Sequence, residues 1–431
     1  GGMAYAYDMQ LGLGDRGYAL SGASWYPITV LGDVFQAHMV YTLAEKGEVV
    51  ANGEMTKHEP AKAAGGTGRF EFETKNPVFG LYFAYGDYVM QQKQVGPIHF
   101  YTYMEPAYAD KSDAYIEVAN NILSFYGTKF VTFPYEKMAI VQTPLPPMLG
   151  GVGPASLMFL QDQFVMRKEV PEFLLAHELA HQWFGNLIPI NLMDPGYSQW
   201  LSEGFATYCD ALYTEHRDGE KALATHMQRY GQLYFTFAMM APRGSGAIKD
   251  TDFGSPLYRP VIYEKGAIVL HMLRKVMGDE KFFATMRKYV EEYKNKPSTV
   301  DDFRRLANEV NGESLDWFFS QWIDRSVFAH WKVDVVVEPA GASGTVKSRV
   351  MVTQPDDLVR MPADVTLYGA KGEKQVVASV MLDKKEQAVD VSTPFVPVRV
   401  IVDEDFWVLH RPGNDNEWNA SPVAAKVGGG K

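Results

Sequence analysis

The segment His177-Glu178-Leu179-Ala180-His181 constrains this chain more than any other. Pro171 suits a first helical position, and Gly185 and Asn186 suit a helix end, so a helix is expected over about 171–185. Residues four apart lie on one helix face, so His177 and His181 can share one metal ion. Glu178 is about 100° further round, beside the metal, where a base acting on a bound water belongs. A bare His-Glu-x-x-His also arises by chance in unrelated helices, and a second feature strengthens the reading. After His181 come 21 residues and then Glu203, in Trp200-Leu201-Ser202-Glu203-Gly204-Phe205-Ala206. Leu201, Phe205, Tyr208, Cys209 and Leu212 recur at helical spacing, which predicts an amphipathic helix over about 198–216 with Glu203 in its first turns. Two histidines and one carboxylate leave the fourth position open to water, the pattern of a catalytic rather than a structural zinc ion. The competing reading of Glu203 is a solvated carboxylate at a helix start.

Composition sets the outer limits. With 431 residues, 46% of them hydrophobic and 22% charged, the chain can form several domains with full cores. A net charge of −11 argues against a nucleic-acid partner. No apolar run has the length of a membrane span, and the first residues show no signal-peptide pattern, although a signal removed earlier fits equally. A cytoplasmic and a periplasmic or secreted location both remain open. The single cysteine, Cys209, lies on the apolar face of the Glu203 helix and reads as a buried free thiol.

Pattern along the chain predicts a multidomain α+β protein. Residues 1–103 read as β, with short aromatic or β-branched segments such as 37–43, 70–73 and 81–85 separated by turns. His38, His58 and His99 in this part have no metal-ligand spacing and read as structural. Residues 104–329 are mixed, with a helix over 110–126, a strand over 138–142, a Pro/Gly loop over 144–154 and a strand over 155–159. Further helices are expected near 220–240, 263–270, 279–294, 299–311 and 315–325. A capping box starts the 299–311 helix, from Thr299 with Asp302 or from Ser298 with Asp301. Strand patterning returns over 330–412, where a β-sandwich is expected, and residues 413–431 read as a loose tail.

Three runs together, His177-Glu178-Leu179-Ala180-His181-Gln182-Trp183-Phe184-Gly185-Asn186, Trp200-Leu201-Ser202-Glu203-Gly204-Phe205-Ala206 and Tyr263-Glu264-Lys265-Gly266, resemble the alanyl aminopeptidase family of zinc metallopeptidases. These are gluzincins related to the leukotriene hydrolases. Weaker similarity extends from about Leu20 to Phe406. The resemblance implies a thermolysin-like catalytic domain between an amino-terminal β domain, here shortened, and a carboxy-terminal β-sandwich. It implies one Zn2+ ion held by His177, His181 and Glu203, Glu178 as general base, Tyr263 as the hydroxyl that stabilises the oxyanion, and a peptide substrate. On the sequence, Tyr258 and Arg259 are candidates to line the substrate cleft and to bind a substrate carboxylate.

Two departures stand out. The interval between His181 and Glu203 is longer than the family's usual one, which a Pro/Gly-containing connection absorbs; Asp194 is a second choice as third ligand. Where family aminopeptidases carry Gly-x-Met-Glu-Asn, with a Glu that binds the substrate's amino terminus, this chain has Gly150-Gly151-Val152-Gly153-Pro154. Gly153 falls at the Glu. The backbone of Gly150, Gly151, Val152 and Gly153 keeps the capacity to pair with an extended substrate. The expected function is therefore zinc-dependent peptide hydrolysis with altered amino-terminal recognition. The alternatives are a non-catalytic protein that retains zinc and a zinc hydrolase of a non-peptide substrate such as an epoxide.

Overall fold

The computed structural model describes residues 10–28, 32–44, 46–63, 65–193, 198–241, 246–340 and 344–420. The chain divides into two compact units, one of residues 1–213 and 283–310, the other of residues 214–282 and 311–431.

The first unit is built on a five-stranded mixed sheet. Its strands are β1 (Val89–Val95), β2 (Ile98–Met104), β3 (Lys137–Thr143), β4 (Gly151–Val152) and β5 (Leu157–Gln161). They lie in the order β4-β5-β3-β2-β1. β3 runs parallel to both β2 and β5, and β4 returns antiparallel along the edge. Every residue of β3 and β5 is buried, as a strand covered on both faces requires. Helix α1 (Ser112–Lys129) makes the crossover from β2 to β3. Before β1, a four-stranded sheet (Leu11–Gly12, Gly17–Ala19, Phe83–Gly86, Glu48–Ala51) and a three-stranded one (His38–Leu43, Gly68–Glu73, Glu54–Glu59) form the β region. Tyr18, Val50 and Ala84 from it pack with Tyr103, Val141 and Phe159 in one core cluster.

Helix α2 (Glu172–Ala180) buries Leu174, Leu175, Ala176, Leu179 and Ala180 and is pinned to α1 by the Tyr126 hydroxyl, which donates to the Ala176 carbonyl at 3.0 Å. It is shorter than the expected span to 185. The Asn186 side-chain amide donates to the His181 carbonyl at 2.7 Å, and Gly185 has φ +106°, so the chain turns before Gly185. Gly185 instead joins a two-residue parallel pairing, Phe184–Gly185 with Ile188–Pro189. Helix α3 (Phe205–Asp218) is preceded by a π turn at Trp200–Gly204. Loop 144–154 also departs from expectation, because Gly151 and Val152 pair with Leu160 and Phe159 as β4. The helix over Val300–Asn311 begins with the Thr299/Asp302 box: Thr299 N–H donates to Asp302 at 2.8 Å and Asp302 N–H to the Thr299 hydroxyl at 3.2 Å.

The second unit contains helices Glu220–Ala238, Gly266–Met277 and Asp316–Trp322 and two antiparallel sheets. The three-stranded sheet is Lys332–Val337, Val346–Thr353 and Glu386–Thr393, and the four-stranded one is Lys374–Leu382, Met361–Gly369, Pro397–Val402 and Glu417–Asn419. Val346–Thr353 shows the alternation of a half-buried strand. Glu417–Asn419 lies in the stretch expected to be a loose tail, yet it pairs with Arg399–Ile401; residues 421–431 are outside the described ones. No described helix is long and apolar enough to cross a membrane.

Candidate active site

α2 and the π turn before α3 bring His177, His181 and Glu203 together. His177 Nε2 and His181 Nε2 are 3.3 Å apart, and Glu203 Oε2 is 3.4 Å from the first and 3.3 Å from the second. Two donors bound to one tetrahedral zinc ion at 2.0–2.1 Å stand about 3.3–3.4 Å from each other. The three atoms therefore form one face of a tetrahedron of the size zinc requires. They are the group of His, Cys, Asp and Glu side chains among the described residues that fits a metal ion. The side chains retain 15%, 12% and 19% of their exposure, so the donor face is reachable from solvent.

The far sides of the imidazoles are also engaged. His181 Nδ1 meets the Phe184 carbonyl at 2.9 Å and the Ser202 hydroxyl at 3.4 Å, and His177 Nδ1 lies 3.9 Å from Asp210 Oδ2. Partners of this kind fix the tautomer that leaves Nε2 free for a metal. The sequence reading does not single out Asp210 or Ser202. Asp210 carries a signal, standing seven residues after Glu203 and so on the same helix face. Burial pushes His181 down, but the adjoining Glu203 charge and hydrogen bond outweigh it and raise His181 to about 9. Burial raises Glu203, and His181 and His177 more than reverse this, holding it well below the usual carboxylate range.

Glu178 is buried beside this group. Burial raises its carboxyl above the usual range, while the nearby histidines and the Gly153 N–H pull the other way. β4 runs against it. A β-carbon added at Gly151 would stand 2.8 Å from Glu178 Cγ and 2.9 Å from its carboxylate, and one added at Gly153 would collide with the Glu178 backbone carbonyl. The loop is held there by side-chain amides that follow α2. Gln182 donates to the Pro154 carbonyl at 2.9 Å and accepts from Ser156 N–H at 2.8 Å. Asn186 donates to the Gly153 carbonyl and accepts from Ala155 N–H, each at 2.9 Å. Gly150, Gly151, Val152 and Gly153 thus lie with the three candidate ligands and Glu178 in the first unit. Asp194 lies outside the described residues.

Tyr258, Arg259 and Tyr263 belong to the second unit. Tyr263 sits in a second π turn, Pro260–Lys265, that opens the helix Gly266–Met277. Its ring meets Tyr258 edge-on at 5.9 Å and lies under the Arg259 guanidinium at 5.6 Å. π turns are rare and concentrate at functional sites. Glu203 and Tyr263 each stand in one.

Residues 114–322 match the family described as the Peptidase family M1 domain. Aminopeptidase 2 of Candida albicans is 24% identical over 81% of this chain and 39% of its own length. Among solved structures, aminopeptidase A of Legionella pneumophila superposes with a TM-score of 0.76 at 14% identity, covering 96% of this chain and 49% of that one. A point mutant of an M1 zinc metallopeptidase from Deinococcus radiodurans superposes with a TM-score of 0.60 at 21% identity, covering 72% of this chain and 71% of that one. The chain therefore spans about two fifths of the length of the curated relative and about half of the Legionella structure. The family match, the shared fold and the His-His-Glu geometry agree, and residues 114–322 of the chain carry a peptidase family M1 domain.

Proposed function

We propose that this protein hydrolyses peptide bonds with one zinc ion held by His177, His181 and Glu203. The observation that carries the proposal is the tetrahedral-edge spacing of these three donors, with the Glu178 carboxylate buried beside them. When bound, zinc supplies a Lewis acid and lowers the pKa of water. Glu178 then takes a proton from the attacking water and passes it to the leaving amine, a role its raised pKa favours. Tyr263 donates its hydroxyl to the developing oxyanion, a role supported by the Tyr-Glu-Lys-Gly run and its π turn. Tyr258 and Arg259 are proposed to border the substrate path, and the free edge of β4 to pair with an extended peptide.

Loop 150–153 is proposed to take no part in recognising a substrate amino group. Gly153 has no carboxylate, and the Glu178 carbonyl occupies the space a side chain there needs. The proposed activity accordingly depends less on a free amino terminus than that of the family's aminopeptidases. Cleavage of a mixed peptide library by the zinc-loaded protein, with Glu178→Gln as control, tests this. Internal cuts that vanish in the control agree with the proposal. Removal of single amino-terminal residues only would assign amine recognition to another group, and absence of any control-sensitive cleavage would refute peptide hydrolysis.

A further inference from the structure

A small cavity in the first unit is lined by Gly53, Thr74, Tyr135, Lys137 and Ser156, with Glu54, Lys75 and Glu136 also at its wall. It offers about 40 Å³ to water centres, room for two or three waters. Lys137 opens β3 and is 3% exposed. Its Nζ donates to the Ala51 carbonyl at 2.5 Å and the Gly53 carbonyl at 2.8 Å. A neutral amine has two N–H bonds, so these two acceptors satisfy it and leave its lone pair uncommitted. No carboxylate within ion-pair distance holds it as an ammonium among the described residues; Glu54 acts on it only at longer range. Tyr135, two residues earlier and also at the cavity wall, has a buried hydroxyl without a hydrogen-bond partner among the described residues. Lys137 and Tyr135 line the same cavity, and a carbonyl compound held there would engage an orphaned donor through its oxygen and a nucleophilic amine through its carbon.

We propose that Lys137 is a nucleophilic amine that condenses in this cavity with a carbonyl compound of two or three carbons to form an imine. Lys137 Nζ attacks the carbonyl carbon, a C–N bond forms, and an amine proton passes to the carbonyl oxygen, giving a carbinolamine. The hydroxyl leaves as water with a proton from solvent, and the C=N bond forms as an iminium. Tyr135 donates a hydrogen bond to the carbonyl oxygen during the attack. The cationic product suits the wall, where two carboxylates, Glu54 and Glu136, flank the one ammonium of Lys75. Burial also brings Lys137 down to about 7, so a large fraction of it is neutral where exposed lysines are almost wholly protonated.

The test is limited labelling of the full chain with glycolaldehyde and cyanoborohydride, mapped by peptide mass spectrometry across pH. Lys137 is expected to carry the first adduct, about tenfold ahead of the surface lysines near pH 7, with a half-maximal rate at about that pH. Tyr135→Phe, which leaves Lys137 and its two acceptors in place, is expected to slow its labelling about tenfold. Labelling led by other lysines, a Lys137 rate that rises only toward about pH 10, or an unchanged rate in Tyr135→Phe would overturn the proposal.

Discussion

Gly151 lies flat against Glu178: a β-carbon on Gly151 would stand 2.8 Å from Glu178 Cγ and 2.9 Å from both Cδ and Oε1. The glycine is there because the edge strand passes where a side chain would push on the carboxylate. Gly151→Ala is expected to displace Glu178 and lower kcat about tenfold or more, since small misplacements of a reacting group are costly. Zinc content should stay near one ion per chain, because the atoms nearest a β-carbon at Gly151 all belong to Glu178 and not to a candidate ligand. Metal analysis beside steady-state kinetics checks both. Loss of zinc together with activity would show that the strand supports the metal group instead.

Asn186 makes three side-chain hydrogen bonds, to Ala155 N–H, the Gly153 carbonyl and the His181 carbonyl. They tie the end of α2 to the edge loop. Asn186→Ala removes all three bonds, leaving the Gly153 carbonyl only its 3.4 Å contact from the Gln182 amide, and is expected to destabilise the protein by about 2–3 kcal/mol. Urea unfolding gives the number. Because the loop is then unheld, KM for an extended peptide is expected to rise as well.

The helical periods carried much of this site into view. His177 and His181 at i, i+4 and Glu203 on an amphipathic stretch were legible because helix geometry is local. β4 was not, because Gly150 to Pro154 have almost no side-chain pattern; their conformation depends on β5 and on Gln182 and Asn186, residues distant in sequence. The early end of α2 has the same origin, since a side chain beyond it takes the His181 carbonyl. Strand Glu417–Asn419 was hidden in polar sequence because its partner, Pro397–Val402, supplies the order. The π turns at Glu203 and Tyr263 have no sequence period at all.

Asp210 tests how much the outer partners of the ligands contribute. Its carboxylate is 3.9 Å from His177 Nδ1 and is buried. Outer partners of metal-bound histidines typically contribute 10–100-fold to affinity, and the long distance here points to the lower end. Asp210→Asn is expected to weaken zinc binding about tenfold, measured by competition with a chelator, while circular dichroism stays unchanged. Unaltered affinity would reduce Asp210 to a packing role.

Asp403 and His410 set opposing pH dependences in the second unit. Asp403 is buried with φ +59° and accepts the N–H groups of Trp407 at 2.9 Å and Val408 at 2.8 Å. Burial raises it to about 7, against the pull of those N–H groups and Lys275, with Asp364 adding to the rise. Its folded pKa exceeds the unfolded value, so its contribution is full below about 4 and is lost as pH rises through about 7. Burial lowers His410 to about 4, with only the Arg411 carbonyl opposing it. Its folded pKa is below the unfolded value, so its contribution is full above about 6.5 and is lost as pH falls through about 4. Between these limits the two trends offset each other. Asp403→Asn keeps an acceptor, tolerates the left-handed backbone and removes the first trend, together with the carboxylate 3.9 Å from His410 Nε2 that favours the imidazolium, so the second trend stands undiminished. Its Tm is therefore expected to climb with pH between about 4 and 6.5 more steeply than that of the parent protein. Thermal scans of the two proteins in matched buffers measure the difference, and parallel profiles would mean that Asp403 titrates near its ordinary value.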